Sequence, residues 1–321
     1  MDVSPIWWFG VVAVILGMLA IDLLIFHRDA HEVSAREAGV WTMVWVTLGL
    51  SFGGVIAWQF GLEYGGEYLA GYVIEKSLAV DNIFVFAVIF SAFAIPLKYQ
   101  HRVLFWGVVG ALIFRAIFIA AGAALLERFH WTIYLFGTLL IITAWRVWIH
   151  RDHHPDPANN RAIKWMQRRM PMTSRLDGQR FFTKENGKRL ATPLFAALVA
   201  VEVADIVFAV DSIPAIFAVT SEPFLVFSSN AFAILGLRSM YFFLADMIKR
   251  FHYLSMGLAF VLAFVGIKML LIDVYKIPIA VSLVVIVTIL AVAVAMSLRK
   301  AGREAAASAV DPGESGRAST H

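Results

Sequence analysis

The sequence contains no cysteine among its 321 residues. Disulfide bonds, thiolate metal sites and thiol redox chemistry are therefore excluded as a basis for its fold or its function. Charged residues are also scarce: they make up 16% of the chain, whereas a soluble domain has about 25%. The apolar fraction is 60%, and one water-soluble core cannot enclose that excess. Much of the chain must therefore be solvated by lipid.

The N-terminal flank of the first apolar run, 6–26, has no Lys or Arg, so the run predicts a membrane span and not a signal peptide. Nine apolar segments are long enough to cross a bilayer core of about 30 Å. We predict an all-α, polytopic membrane helix bundle with about nine transmembrane helices in one domain, 1–298. A polar loop at about 150–190 interrupts it, and a disordered tail, 299–321, follows it. The nine segments are approximately 6–26, 38–60, 67–90, 102–126, 131–149, 192–219, 224–247, 254–272 and 277–298.

Lys and Arg are distributed very unequally between the connections. Of the 27 basic residues, 21 fall in alternate connections that include the 150–190 loop and the tail, and only Arg128 and Lys276 fall in the opposite set. Because cytoplasmic connections carry the basic excess, the loop and the tail are predicted to face the cytoplasm and the N-terminus to face the other side.

The sequence also resembles itself. Residues 75–83 match residues 205–213: both carry two acids six positions apart, an Ala-Val-Asp triplet and a polar residue after it. Further on, Arg115 corresponds to Arg238. The repeat units, 67–149 and 192–272, each contain three predicted spans. Because three is odd, the two units have opposite orientations, an inverted repeat typical of secondary transporters that bind their substrate near the membrane midplane.

Acidic residues inside the spans are the strongest functional signal. An Asp at the centre of a membrane helix costs about 2.5–3.5 kcal/mol on insertion scales, so buried acids need protons, bases or bound cations. We predict that the two acidic segments face each other across the repeat axis. The acids are Glu75, Asp81, Glu202, Asp205 and Asp211.

Helix geometry limits how these acids can meet. Glu75 and Asn82 are seven residues apart and share a helix face, but the other acids point in different directions on regular helices. We therefore expect either a wide polar cavity or a helix break, for which Pro214 is the candidate.

In-span bases provide a structural alternative, in which the acids are only ion-pair partners. Arg115, Arg238 and Lys76 could neutralise some of them, and a mixed arrangement has the arginines pair certain acids and assist cation release. Asn230 is a further candidate ligand or helix–helix hydrogen-bonding residue. Asp22 either lines an access path or pairs with Arg28.

The oxygen ligands indicate a hard cation. Carboxylates together with Asn82, Ser212 or backbone carbonyls suit Mn²⁺, Mg²⁺ or Ca²⁺. The histidines all lie in loops, the tail or span ends, which disfavours a Zn or Cu site in the membrane. The sequence has no phosphate-binding loop or nucleophile elbow, so we expect neither an enzyme nor a permanent cofactor nor a nucleic-acid partner. Other membrane proteins or a second copy of the chain remain open as partners.

Three segments carry a family resemblance: Glu75 to Phe84, Glu202 to Phe217 and Ser229 to Tyr241. They resemble the signatures of the TerC family of membrane proteins, and the resemblance covers nearly the whole chain. It implies a bacterial inner-membrane protein linked to manganese export, tellurite resistance and the response to alkaline pH. It also implies that the five in-span acids serve the family's function. Some members are labelled redox modulators, for which a chain without cysteine offers no thiol mechanism.

Two functions therefore stand as expectations. The first is a secondary transporter that exports Mn²⁺, with protons as the exchanged ion, because carboxylates that bind a cation must first lose their protons. The second is a non-transporting membrane protein of the stress-response, redox-modulator or scaffold type.

Overall fold

The computed structural model of the protein describes residues 1, 3–26, 34–129, 131–149, 171–173, 175–185, 187–244, 253–275 and 277–310. Helices dominate this part of the chain, as the apolar segments predict. In order they are α1 (Pro5–Phe26), α2 (Ala35–Phe60), α3 (Leu62–Ala92), α4 (Leu97–Arg128), α5 (Thr132–Ile149), α6 (Pro193–Phe217), α7 (Pro223–Ile234), α8 (Leu237–Leu244), α9 (Leu254–Leu270) and α10 (Ile279–Val310). A short hairpin of β1 (Phe182–Glu185) and β2 (Lys188–Ala191) precedes α6.

Within the described residues, five helices are long and apolar enough to cross a membrane, or six if α7 and α8 form one bent span. The five are α2, α4, α5, α6 and α10, whereas α1 and α9 are shorter apolar helices. The 31-residue α3 is long enough, but it carries five charged side chains. An all-α membrane protein fits this architecture, while the count of nine spans and the inverted repeat stay predictions.

The predicted span 224–247 is broken. α7 ends at Ile234 and α8 begins at Leu237, and the two helices are bent by 41°. Gly236 lies in the break with a φ of 81°, a conformation that only glycine adopts at little cost. A Cβ at this position would also lie 2.5 Å from the Trp45 Cβ. Glycine is therefore required at the break for two reasons: the backbone has a positive φ, and the Trp45 side chain leaves no space for a Cβ.

The expectation of a break at Pro214 is wrong. α6 continues through Pro214 and ends three residues later at Phe217. A proline removes a backbone donor and bends the helix that precedes it, but here little helix remains beyond the proline. The acidic segment 202–212 is therefore regular helix.

The predicted disordered tail is also wrong in its first part, because α10 extends to Val310. Five of the residues 299–310 are Ala, and Arg, Lys and Glu make up four more. All four types are strong helix formers, so the helix continues beyond the apolar segment. Residues 311–321 lie outside the described part of the chain. So do residues 150–170 of the predicted loop, whereas its end forms the β1–β2 hairpin.

The two acid-bearing helices, α3 and α6, pack side by side in opposite directions. Thr220 just past the end of α6 donates a hydrogen bond to Glu67 near the start of α3. One turn further, a Cβ at Gly71 would lie 3.2 Å from Ile216. This antiparallel pair agrees with the alternating orientation that the basic residues predict.

Beside this pair, α5 and α9 make a close contact through two glycines. A Cβ on Gly266 would lie 2.9 Å from the backbone oxygen of Gly137, and a Cβ on Gly137 would lie 3.1 Å from that of Gly266. Small residues let membrane helices approach closely. α5 and α9 therefore form one wall of the bundle next to α3 and α6.

Candidate functional site

Arg115, from α4, lies between the two acidic helices and holds an acid from each. Its Nη2 is 3.2 Å from Asp205 Oδ1 and its Nε is 3.4 Å from Asp205 Oδ2. Its Nη1 donates to Glu75 Oε1. Glu75 and Asp205 occupy matching positions of the predicted repeat, so one guanidinium joins the two equivalent acids.

Two uncharged polar side chains also contact the guanidinium. Arg115 Nη1 also lies 3.1 Å from Ser212 Oγ and 3.3 Å from Asn230 Oδ1. All five side chains are buried, with exposures from 0% for Glu75 to 3% for Asp205. We call Glu75, Arg115, Asp205, Ser212 and Asn230 the arginine site.

The arginine site does not balance its charges. With both carboxylates ionised, one guanidinium faces two negative charges, and one negative charge remains. Glu75 Oε2 and Asn230 Nδ2 are buried, and neither makes a hydrogen bond to any of the described residues. A net charge and polar atoms without hydrogen bonds are destabilising in a medium of low dielectric constant. Binding of an additional proton or cation at this site is therefore favourable.

A cavity adjoins the arginine site on the side of α5 and α9. Its volume accessible to water is about 90 Å³, and its polar lining residues are Asn82, Thr143 and Ser212. Asn82 and Ser212 are equivalent positions of the predicted repeat. Ser212 therefore belongs both to the cavity wall and to the arginine site.

Glu202 lies one turn before Asp205 on α6, against the backbone of α4. A Cβ at Gly110 would lie 2.0 Å from Glu202 Oε1, so the carboxylate occupies the space that a side chain at position 110 would need. Its Oε2 is buried and makes no hydrogen bond within the described part of the chain. Glu202 is thus a third acid near the site, held by a glycine that the sequence analysis did not single out.

Lys76 donates to backbone carbonyls of the broken helix and pairs with none of the acids whose side chains are described. Its Nζ lies 3.0 Å from the backbone oxygen of Ala233 and 3.5 Å from that of Leu235. These are carbonyls at the C-terminal end of α7, which the helix leaves without donors and where a positive charge is favourable. Arg238, the repeat counterpart of Arg115, is buried in α8 just beyond the break.

Three predicted residues lie on helices, but their side chains fall outside the described part of the structure. Asp81 is on α3 directly before Asn82, and Asp211 is on α6 directly before Ser212. Asp22 is near the end of α1. Among the side chains that are described, no group of three or more acids or histidines is arranged as a metal site.

The structure thus joins Glu75, Asp205, Ser212, Asn230 and Arg115 and places Asn82 beside them. Sequence reasoning missed Gly110 and Thr143. A glycine within an apolar helix gives no signal of the side chain that lies against it, and a single Thr in a span is common. Only packing identifies either residue.

Comparison with known proteins places the chain in a family. The model of the integral membrane protein TerC family matches residues 60–305. An uncharacterized membrane protein of Myxococcus xanthus is 54% identical over 297 residues, which cover 92% of this chain and 93% of that protein. An Escherichia coli protein, named as the putative membrane-bound redox modulator Alx, is 45% identical over 296 residues, which cover 89% and 92%.

A relative of lower identity is covered to a similar extent. An uncharacterized membrane protein of Rickettsia felis is 40% identical over 283 residues, which cover 88% of this chain and 94% of that protein. No solved structure matches the chain. The resemblance carried by the acidic motifs is confirmed, and the protein belongs to the TerC family of integral membrane proteins.

Proposed function

We propose that this protein is a secondary transporter that exports a hard divalent cation, Mn²⁺ in the first place, in exchange for protons. The observation that carries the proposal is the arginine site: two buried acids share one guanidinium, and Glu75 Oε2 has no hydrogen-bond partner among the side chains that the structure describes.

The charges of the site support cation binding. When Glu75 and Asp205 are both ionised, the site keeps one negative charge beyond what Arg115 neutralises. A membrane interior penalises that charge by several kcal/mol, and either a proton or a metal ion removes the penalty. Because proton and metal bind the same carboxylate oxygens, loading one displaces the other, as exchange transport requires.

Arg115 acts in this scheme as a resident counter-ion. It neutralises part of the acid charge when no metal is present, and it must yield part of its contact with Glu75 or Asp205 when a divalent ion enters. The ligands are then carboxylate oxygens, Ser212 and the amide oxygen of Asn230, with Glu202 within the same helix turn as Asp205. An all-oxygen set of this kind suits Mn²⁺, Mg²⁺ and Ca²⁺.

The proposal places the protein in the bacterial inner membrane, with the 150–190 loop and the C-terminal tail in the cytoplasm. This orientation rests on the excess of Lys and Arg in alternate connections, because cytoplasmic connections carry that excess. The cavity beside the arginine site then lies in the cytoplasmic half, which is the side from which an exporter loads its ion.

Reconstituted proteoliposomes test the proposal. Wild-type protein should move Mn²⁺ across the bilayer, and an opposing pH gradient should accelerate the flux. Asp205→Asn removes a proposed ligand and should reduce apparent Mn²⁺ affinity by at least the roughly 10–100-fold that follows loss of an outer-shell partner. Glu127→Gln is the matched control, because Glu127 is exposed near the end of α4. Absence of Mn²⁺ flux under any pH gradient would rule out the proposal.

A second function is favoured by the name of the relatives, which describes a redox modulator. In this alternative the chain is a non-transporting partner in a stress-response complex. Asp81→Asn and Asp211→Asn would then leave function intact, while changes in the 150–190 loop would abolish it. The transport proposal expects the reverse pattern.

A further inference from the structure

The cavity next to the arginine site has a specific position in the bundle. One of its lining residues is Ser212, whose Oγ lies 3.1 Å from Arg115 Nη1. Two others are Val147, two residues before the end of α5, and Leu258, one turn after the start of α9. In the sequence, both helix ends adjoin the Lys- and Arg-rich connections. The lining residues therefore extend from the arginine site toward the helix ends of the Lys- and Arg-rich side.

Three of the eight residues that line the cavity are polar. Asn82, Thr143 and Ser212 come from three different helices, α3, α5 and α6, while the remaining lining residues are apolar. Polar groups inside a cavity of this size hold ordered water, whereas a purely apolar cavity stays dry. Water in turn stabilises a cation that has not yet reached the carboxylates.

The cavity has room for several water molecules. Its volume accessible to water is about 90 Å³, and one water needs about 10–15 Å³ by this measure. A divalent cation can therefore keep part of its water in the cavity, which matters most for Mg²⁺, since this ion dehydrates reluctantly.

We propose that this cavity is a hydrated vestibule through which a divalent cation reaches Glu75 and Asp205 from the Lys- and Arg-rich face, with Thr143 as its polar residue on α5. The inference rests on the proposed transport function, because it names the route to the same site. Ser212 forms the inner boundary, where the ion exchanges water for protein oxygens beside Arg115.

The chain is a natural background for cysteine labelling, since it has no cysteine of its own. Val147→Cys places a thiol near the mouth of the vestibule, and Thr143→Cys places one between the mouth and Ser212. Two controls lie on the same helix: Trp145→Cys on the outer surface, where Trp145 is 65% exposed, and Leu140→Cys in the packed core, where Leu140 is 0% exposed.

The probe is a membrane-impermeant thiosulfonate with a trimethylammonium group, applied to full-length protein in inside-out and right-side-out membrane vesicles. The thiolate is the reacting form, and an apolar environment keeps a thiol protonated. We expect Val147→Cys and Thr143→Cys to react from the cytoplasmic face about tenfold faster or more than Trp145→Cys and Leu140→Cys, since one pKa unit changes the thiolate fraction by about tenfold.

The second measurement asks whether the ion uses the vestibule. Mn²⁺ should slow the labelling of Thr143→Cys, because a divalent cation there blocks and repels the cationic reagent, while K⁺ at equal ionic strength should not. Labelling that is absent, equal from both faces or insensitive to Mn²⁺ would overturn the vestibule. Loss of Mn²⁺ flux with this labelling intact would instead overturn the transport proposal alone.

Discussion

Arg115 donates hydrogen bonds to Asp205 from two nitrogens of its guanidinium: Nη2 lies 3.2 Å from Oδ1 and Nε lies 3.4 Å from Oδ2. This two-point geometry is specific to arginine, since the ammonium group of lysine is a single point charge. The third nitrogen, Nη1, is turned to Glu75 on the opposite helix. The arginine therefore fixes the distance between α3 and α6 at the level of the acids.

Removal of Arg115 should destabilise the protein. Arg115→Met leaves Glu75 and Asp205 without their counter-ion, and breaking a buried ion pair from one side costs about 3–5 kcal/mol. Thermal unfolding in detergent should therefore show a clearly lowered Tm. The double variant Arg115→Met/Asp205→Asn removes one of the two carboxylate charges left without a counter-ion, and it should recover part of the decrease in Tm. An unchanged Tm in Arg115→Met would contradict the role of the arginine as counter-ion.

Gly110→Ala should alter transport and leave the fold nearly intact. The added Cβ would lie 2.0 Å from Glu202 Oε1, and the flexible carboxylate can move away more easily than the backbone. Alanine is more favourable than glycine within a helix by about 1 kcal/mol. This gain offsets part of the destabilisation of about 1–3 kcal/mol that an extra methyl group causes in a packed interior. Mn²⁺ flux in proteoliposomes should fall while the Tm changes little.

The control for Gly110→Ala is Gly54→Ala, a helical glycine on α2 whose added Cβ meets nothing within 4 Å. It brings the same gain in propensity without the displaced carboxylate. If both variants transport Mn²⁺ as well as the wild type, Glu202 has no part in the cation path.

Lys76→Met should loosen the break between α7 and α8. The backbone oxygens of Ala233 and Leu235 would lose their shared donor, and a hydrogen bond from a charged group contributes about 1.5–3 kcal/mol. The measurement is the Tm in detergent. Lys188→Met, at an exposed position of the hairpin, is the control and should behave as the wild type. Equal stability of the two variants would show that the ammonium does not hold the break.

Cross-linking tests the antiparallel arrangement of α3 and α6. Glu67→Cys/Thr220→Cys places thiols at two positions whose native side chains share a hydrogen bond, and a short bifunctional thiol reagent should join them. Glu67→Cys/Thr192→Cys is the control, because Thr192 precedes the opposite end of α6, about 37 Å away at 1.5 Å per residue. Efficient cross-linking of the control pair, or none of the first pair, would refute the arrangement.

Much of this arrangement follows from the sequence. The acids at matching positions of the repeat predict that the segments of Glu75 and Asp205 face each other, and the structure brings these two residues to one guanidinium. The basic residues of the connections predict opposite directions for the two helices. Periodicity and charge carry such information because each depends only on the order of the residues along the chain.

The remaining features depend on packing that periodicity does not encode. A proline in an apolar span, such as Pro214, predicts a break, yet the break occurs at Gly236, where the neighbouring Trp45 side chain excludes any Cβ. The position of Lys76 beside the break carbonyls also follows from the rotation of α3 about its axis. Rotation and close approach are set by all neighbouring helices together.

Crystals grown with Mn²⁺ and measured for anomalous scattering test the central claim most directly. We expect a manganese peak between α3 and α6, within about 2.0–2.6 Å of carboxylate oxygens of Glu75 or Asp205, with Arg115 withdrawn from at least one of them. Wild-type crystals with no peak between these helices, or with manganese bound only at the surface, would contradict it.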